Sequence, residues 1–85
     1  MQYDCGISMA RLASWLDEEL RLDREGDSWA FNQGVATCRV TLKPLENRTL
    51  GSYSIERTML SAEGDEAALA EFERIFTLRF ASAGG

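Results

Sequence analysis

The sequence contains no histidine, which removes the commonest general base and metal ligand from any candidate site. What remains for chemistry is a pair of thiols, one lysine and several runs of carboxylates. Asp17-Glu18-Glu19 would act as an acid–base pair only if two of its carboxylates met at one substrate atom. On a helix, consecutive residues fan apart by about 100°, so this run reads as a solvated acidic face. Asp23-Arg24-Glu25-Gly26-Asp27 alternates oxygen donors in the manner of a calcium loop, but it lacks the twelve-residue frame and the closing bidentate glutamate. The spacing of Cys5 and Cys38 matches neither a redox pair nor a zinc ribbon. Cys38 falls on the inward face of a strand and should behave as a small hydrophobe. Cys5, near an exposed terminus, has no cation within a few residues to lower its pKa. Lys43 is the only partner available for serine–lysine chemistry. These residues point away from an enzyme and imply no metal site and no cofactor.

The elements that would position these residues follow from periodicity. Residues 8–23 read as an amphipathic helix with Met9, Leu12, Ala13, Leu16 and Leu20 on one stripe, Ser8 as N-cap and Gly26 as its left-handed stop. Trp15 and Leu22 lie beside that stripe on a shared face, where they either lap over the core edge or form an interface. Ser28–Phe31 and Val35–Leu42 read as strands joined by Asn32-Gln33-Gly34. Cys38, Val40 and Leu42 alternate with Arg39, Thr41 and Lys43, one row buried and one wet. Pro44 is expected to end that strand and Glu46-Asn47-Arg48 to form the next turn. A third strand over 49–60 is expected to send Tyr53 and Ile55 inward and Ser54, Glu56 and Thr58 outward, with Gly51 marking a bulge. A second helix over 65–81, capped by Asp65, lines Leu69, Phe72, Ile75, Phe76 and Phe80 along one side, while Leu78 points away. The expected fold is a two-layer α+β domain over residues 1–85: helix, strand, strand, strand, helix. A three-stranded antiparallel meander carries both helices on one face, with residues 1–7 and 81–85 loosely ordered.

In element order alone this pattern resembles the double-stranded-RNA-binding domain. That family begins its second helix with a lysine-rich stretch that grips phosphate. Here Gly64-Asp65-Glu66-Ala67 is acidic, so the resemblance does not carry RNA binding with it.

The formal net charge of −5 over 85 residues argues against a dedicated nucleic-acid binder. Acidic ends flank a mildly basic centre, and Arg39, Lys43, Arg48 and Arg57 are the candidate anion contacts. No apolar run is long enough to span a membrane. Met1–Gly6 is polar and no apolar signal core follows it, so a cytoplasmic chain with reduced thiols is expected. Arginine-rich, lysine-poor composition suggests a GC-rich prokaryotic genome. A chain this short has a limited core and exposes strand edges, which favours burial against a second chain. The leading expectation is a non-catalytic protein-interaction module or small accessory subunit that forms a homodimer, with Trp15 and Leu22 as candidate interface. The alternatives are an anion- or nucleic-acid-associated regulator using the basic strand residues, or an acidic inhibitor of the immunity-protein kind.

Overall fold

Cys38, Val40 and Leu42 set the phase of the central strand, and all three are buried. The computed structural model describes residues 1–84, with side chains as far as Phe80. In chain order the elements are β1 (Gln2–Cys5), α1 (Met9–Ser14) continued by a π-helical turn (Trp15–Glu19), β2 (Asp23–Glu25), β3 (Ser28–Gln33), β4 (Ala36–Leu50), β5 (Tyr53–Gly64) and α2 (Glu66–Gly84). The strands form one antiparallel sheet in the order β1-β5-β4-β3-β2.

The α+β class holds, but five strands stand where a three-stranded meander was expected. Both added strands are edges. β1 occupies the segment expected to be loose, pairing Gln2–Cys5 with residues 58–61 of β5. It turns Cys5 into the core and stacks Tyr3 on Phe76 at 5.3 Å. β2 has every residue exposed. Backbone pairing to β3 alone defines it, and no hydrophobic period announces such a strand. The expectation of a loose 81–85 tail falls on side chains, and on Gly85, outside the described residues.

One core cluster joins alternate strand positions to the two helices. Cys5, Trp29, Phe31, Val40, Leu42, Leu60 and Ala62 meet Leu12, Trp15 and Leu16 from the first helix and Ala68, Phe72, Phe76 and Phe80 from α2. Trp15 sits edge-on to Phe80 at 5.0 Å, and Phe31 edge-on to Phe72 at 5.4 Å, geometries that ring quadrupoles favour.

The first helix is shorter than its apolar stripe suggested. Ser8 caps it, its hydroxyl accepting from the Arg11 amide at 3.2 Å. The Leu20 amide then reaches back five residues to the Trp15 carbonyl at 3.0 Å, and the Leu22 amide closes on the Leu16 carbonyl at 3.0 Å. Trp15 and Leu16, three and four residues after Leu12 on one helical face, are seated in the core where the turn begins to widen. The left-handed stop is Arg21, at φ 54°, rather than Gly26, which turns the chain between β2 and β3 instead.

β4 passes straight through Pro44, contrary to expectation. The Leu42 amide is directed to the β3 side, donating to the Asp27 carbonyl at 3.0 Å. Amides two residues apart point the same way, so the hydrogen that Pro44 lacks would face an edge where β3 has already ended. No ladder bond is lost. The expected turn at Glu46-Asn47-Arg48 is a β-bulge inside β4, between Leu45 and Arg48. The real turn is Gly51-Ser52, with Gly51 at φ 62°. At the far end of β5, Gly64 has φ 146°, and a Cβ there would lie 2.5 Å from the Thr37 carbonyl oxygen. Only glycine fits this junction. Asp65 follows at once and fastens the helix to the sheet, its carboxylate accepting from the Thr37 amide at 2.9 Å.

Candidate functional site: a projecting hairpin arm

β3 pairs with β4 only as far as Thr41, and β1 pairs with β5 only as far as Thr58. From Lys43 to Arg57, therefore, β4 and β5 have no strand partner but each other. They form a two-stranded arm that runs out beyond the body, and the molecule is elongated accordingly, 47 × 27 × 21 Å. Asn47 and Ser54 join the two strands through a side-chain hydrogen bond of 3.1 Å.

Residues opposed across an antiparallel pair share a face. The pairs Arg39–Glu63, Lys43–Met59, Leu45–Arg57, Arg48–Ile55 and Leu50–Tyr53 therefore share the face opposite the one that Thr58, Leu60 and Ala62 bury. This corrects the expected phase of the third strand. Tyr53 and Ile55 are exposed rather than inward. Thr58, expected outside, is fully buried, with its hydroxyl donating to the Ile7 carbonyl at 2.8 Å. The pairing with β4 decides the phase: Val40 and Leu42 lie opposite Ala62 and Leu60, which puts that row of β5, Thr58 included, in the core and leaves Tyr53 and Ile55 on the other face.

The four candidate anion contacts, Arg39, Lys43, Arg48 and Arg57, are thus all placed on the open sheet face. Arg48 reaches it only because of the bulge, which shifts β4 by one residue. They do not form one free cationic patch. Arg57 donates through Nε to Asp4 Oδ1 at 3.1 Å, through Nη2 to Asp4 Oδ2, and through Nη1 to the Glu46 carbonyl at 3.2 Å. The guanidinium holds the Asp4 carboxyl below its usual range, and the same bond raises Arg57. Arg39 is paired across the ladder with Glu63. Among the described residues, Arg39, Lys43 and Arg48 take no part in an ion pair. Asp4, Gly6, Arg48, Ile55 and Arg57 line a shallow hollow of ≈ 390 Å³ at the root of the arm.

Trp15 and Leu22 are in different surroundings. Trp15 is 3% exposed and packed among Phe72, Phe76 and Phe80, and Leu22 is half-buried against the same cluster. The expected interface is corrected on this point: the tryptophan is consumed by the core and has no surface to offer. Cys5 is also buried rather than near the surface, and burial pushes both thiols up, away from the reactive thiolate. Both cysteines are free.

Asp17 has a role that its carboxylate run concealed. It accepts from the indole N–H of buried Trp29 at 2.7 Å and from Arg24 at 2.9 Å, while Arg24 lies over the Trp29 ring at 4.6 Å. The sequence signal for this was a lone tryptophan in a strand, whose buried N–H needs an acceptor. Among the described residues, no cluster of three or more His, Cys, Asp or Glu is placed to hold a metal, and no helix is long and apolar enough to cross a membrane.

No family model, curated protein or solved structure matches the chain. The candidate site therefore rests on geometry: an arm whose exposed end gathers Leu50, Tyr53 and Ile55 beside Arg48.

Proposed function

We propose that this chain is a non-catalytic protein-interaction module that docks through the β4–β5 arm. One observation carries the reading. Leu50, Tyr53 and Ile55 are 54%, 75% and 37% exposed and adjacent on one face of a projection that the core does not need. Isolated surface hydrophobes need no explanation, but a contiguous set that includes an aromatic is the composition of an interface centre. Val35 supplies the contrast: it is 105% exposed but solitary in the β3–β4 turn. The reading includes no enzymatic activity, no cofactor and a prokaryotic cytoplasmic setting. The partner is either a second copy or a larger assembly in which the chain is an accessory subunit.

Affinity capture from the source cell tests the reading. The wild-type chain should retain a defined protein partner, the double variant Leu50→Ser with Tyr53→Ser should lose it, and Val35→Ser should keep it. Equal retention by all three would remove the arm from the account.

A second reading is favoured by Lys43 and Arg48, which stand outside ion pairs on the same open face as Arg39 and Arg57. In that reading the face contacts anionic ligands, and affinity should fall with salt along a slope that Lys43→Ala with Arg48→Ala lowers. Asp4 and Glu63 beside Arg57 and Arg39, with the overall negative charge, weigh against it. We expect no binding to RNA or inorganic phosphate at low ionic strength.

A further inference from the structure

We infer that the partner seated on the arm is a second copy of this chain, paired antiparallel through the free edge of β5 with Ile55 on the two-fold axis. The inference rests on the arm-docking reading and names its occupant.

The two edges of the arm are not equivalent. On the β4 side, Pro44 has no amide hydrogen and the bulge between Leu45 and Arg48 breaks the ladder, two devices that discourage strand addition. The β5 side has neither. Between the Gly51-Ser52 turn and the start of β1 pairing at Thr58 lie Tyr53, Ser54, Ile55, Glu56 and Arg57, with no strand paired to them and with Asp4 and Gly6, at the end of β1, near the inner end of that edge. The midpoint of that window is Ile55.

Backbone direction agrees with this centre. Ala62 turns both polar groups toward β1, its amide donating to the Met1 carbonyl at 2.9 Å and its carbonyl accepting from the Met1 amine at 3.1 Å. Alternation along β5, which carries no bulge of its own, directs the amides and carbonyls of Ser54 and Glu56 to the same free side. An antiparallel second copy centred on Ile55 brings Ser54 opposite Glu56 of that copy, and Glu56 opposite its Ser54. Each of these pairs exchanges two main-chain hydrogen bonds, and the two Ile55 residues form the intervening close pair, with no bond to satisfy.

The side chains also match under the two-fold. On the open face Tyr53 meets Arg57 of the second copy on either side of the Ile55 pair, an aromatic against a guanidinium. On the other face a Ser54 hydroxyl meets a Glu56 carboxylate. No like charges are opposed, and exposed Tyr53 and Ile55 each gain a cross-strand neighbour on the open face. A self-complementary strand of this kind is what an isologous two-fold contact requires.

The test uses the purified chain alone, so no other protein can contribute. Light scattering over a wide concentration range should show the mass rising toward twice the monomer. Ser54→Pro removes an outward amide hydrogen that the β4–β5 ladder does not use; it should weaken association about tenfold or more with tryptophan fluorescence unchanged. Ile55→Cys should form a disulfide-linked dimer under mild oxidation, while Val35→Cys stays monomeric. A chain that is monomeric throughout, with Ile55→Cys linking no faster than Val35→Cys, overturns self-pairing. A dimer indifferent to Ser54→Pro overturns it as well, because association then lies elsewhere. If the double Leu50→Ser, Tyr53→Ser variant still loses a captured partner, the arm reading survives that failure; if capture is unchanged, both fall.

Discussion

β4 and β5 each belong to two regions of very different character. In the body, Val40, Leu42 and Leu60 are essentially inaccessible, covered by helices on one face and flanked by β1 and β3. In the arm, Leu50, Tyr53 and Ile55 on the same two strands stand in water. Apolar side chains in the body are explained by folding, since each removes surface from water at about 25 cal/mol per Å². Those in the arm, 37–75% exposed, gain much less of the kind in a single chain. A strand pair that extends past its own core and keeps large apolar residues there is built for contact with something outside the fold.

The largest effect should come from the body. Phe72→Ala empties a fully buried ring site between Trp15 and Phe31 and should destabilise the chain by about 3–5 kcal/mol in denaturant unfolding. A loss below about 1 kcal/mol would place that ring outside the core and erase the contrast. Next is Asp17→Ala, which leaves the buried Trp29 indole N–H without its acceptor and should cost about 1–3 kcal/mol. Asp17→Asn keeps an acceptor and should recover much of that loss. In the arm, Tyr53→Ser should change the stability of the dilute chain by no more than about 0.5 kcal/mol. A larger loss would mean that the arm is part of the folding unit.

The smallest expected effect lies where the two regions join. Asp4 is held below its usual carboxyl range by its hydrogen bonds to Arg57. Its contribution to stability is complete above the ordinary carboxylate pKa and is lost as pH falls through the depressed folded value. Asp4→Asn should therefore flatten that part of the acid limb of the stability curve and leave neutral and alkaline behaviour unchanged.

Sequence reasoning succeeded where a hydrophobic period met one packed face. The α2 stripe of Phe72, Phe76 and Phe80 and the row Cys38, Val40 and Leu42 were legible because burial requires that repetition. It failed at β1 and β2, edges held by main-chain bonds that leave little trace in side-chain pattern. It also failed at Pro44 and the bulge, where proline and a turn-like tripeptide were read as an end, although the missing hydrogen faces an open edge. In β5, Tyr53 and Ile55 were expected inward as the apolar members of an alternating run, whereas pairing with Val40 and Leu42 puts the other row, Thr58, Leu60 and Ala62, in the core. Trp15 sits at the margin of the apolar stripe, where period alone does not decide between core edge and interface; packing against Phe72, Phe76 and Phe80 places it in the core. The four cations were found by type, but that they share a face depended on the bulge.

Amide hydrogen exchange at Ser54 and Glu56, followed as a function of protein concentration, tests the central claim most directly. Both amides point out from the free edge of β5, so in dilute solution they should exchange as freely as exposed backbone. At high concentration they should become protected together, while the Ile55 amide, bonded within the hairpin, keeps its protection at both extremes. Fast exchange at Ser54 and Glu56 at every concentration would contradict the account, and the arm would then have no second copy seated on it.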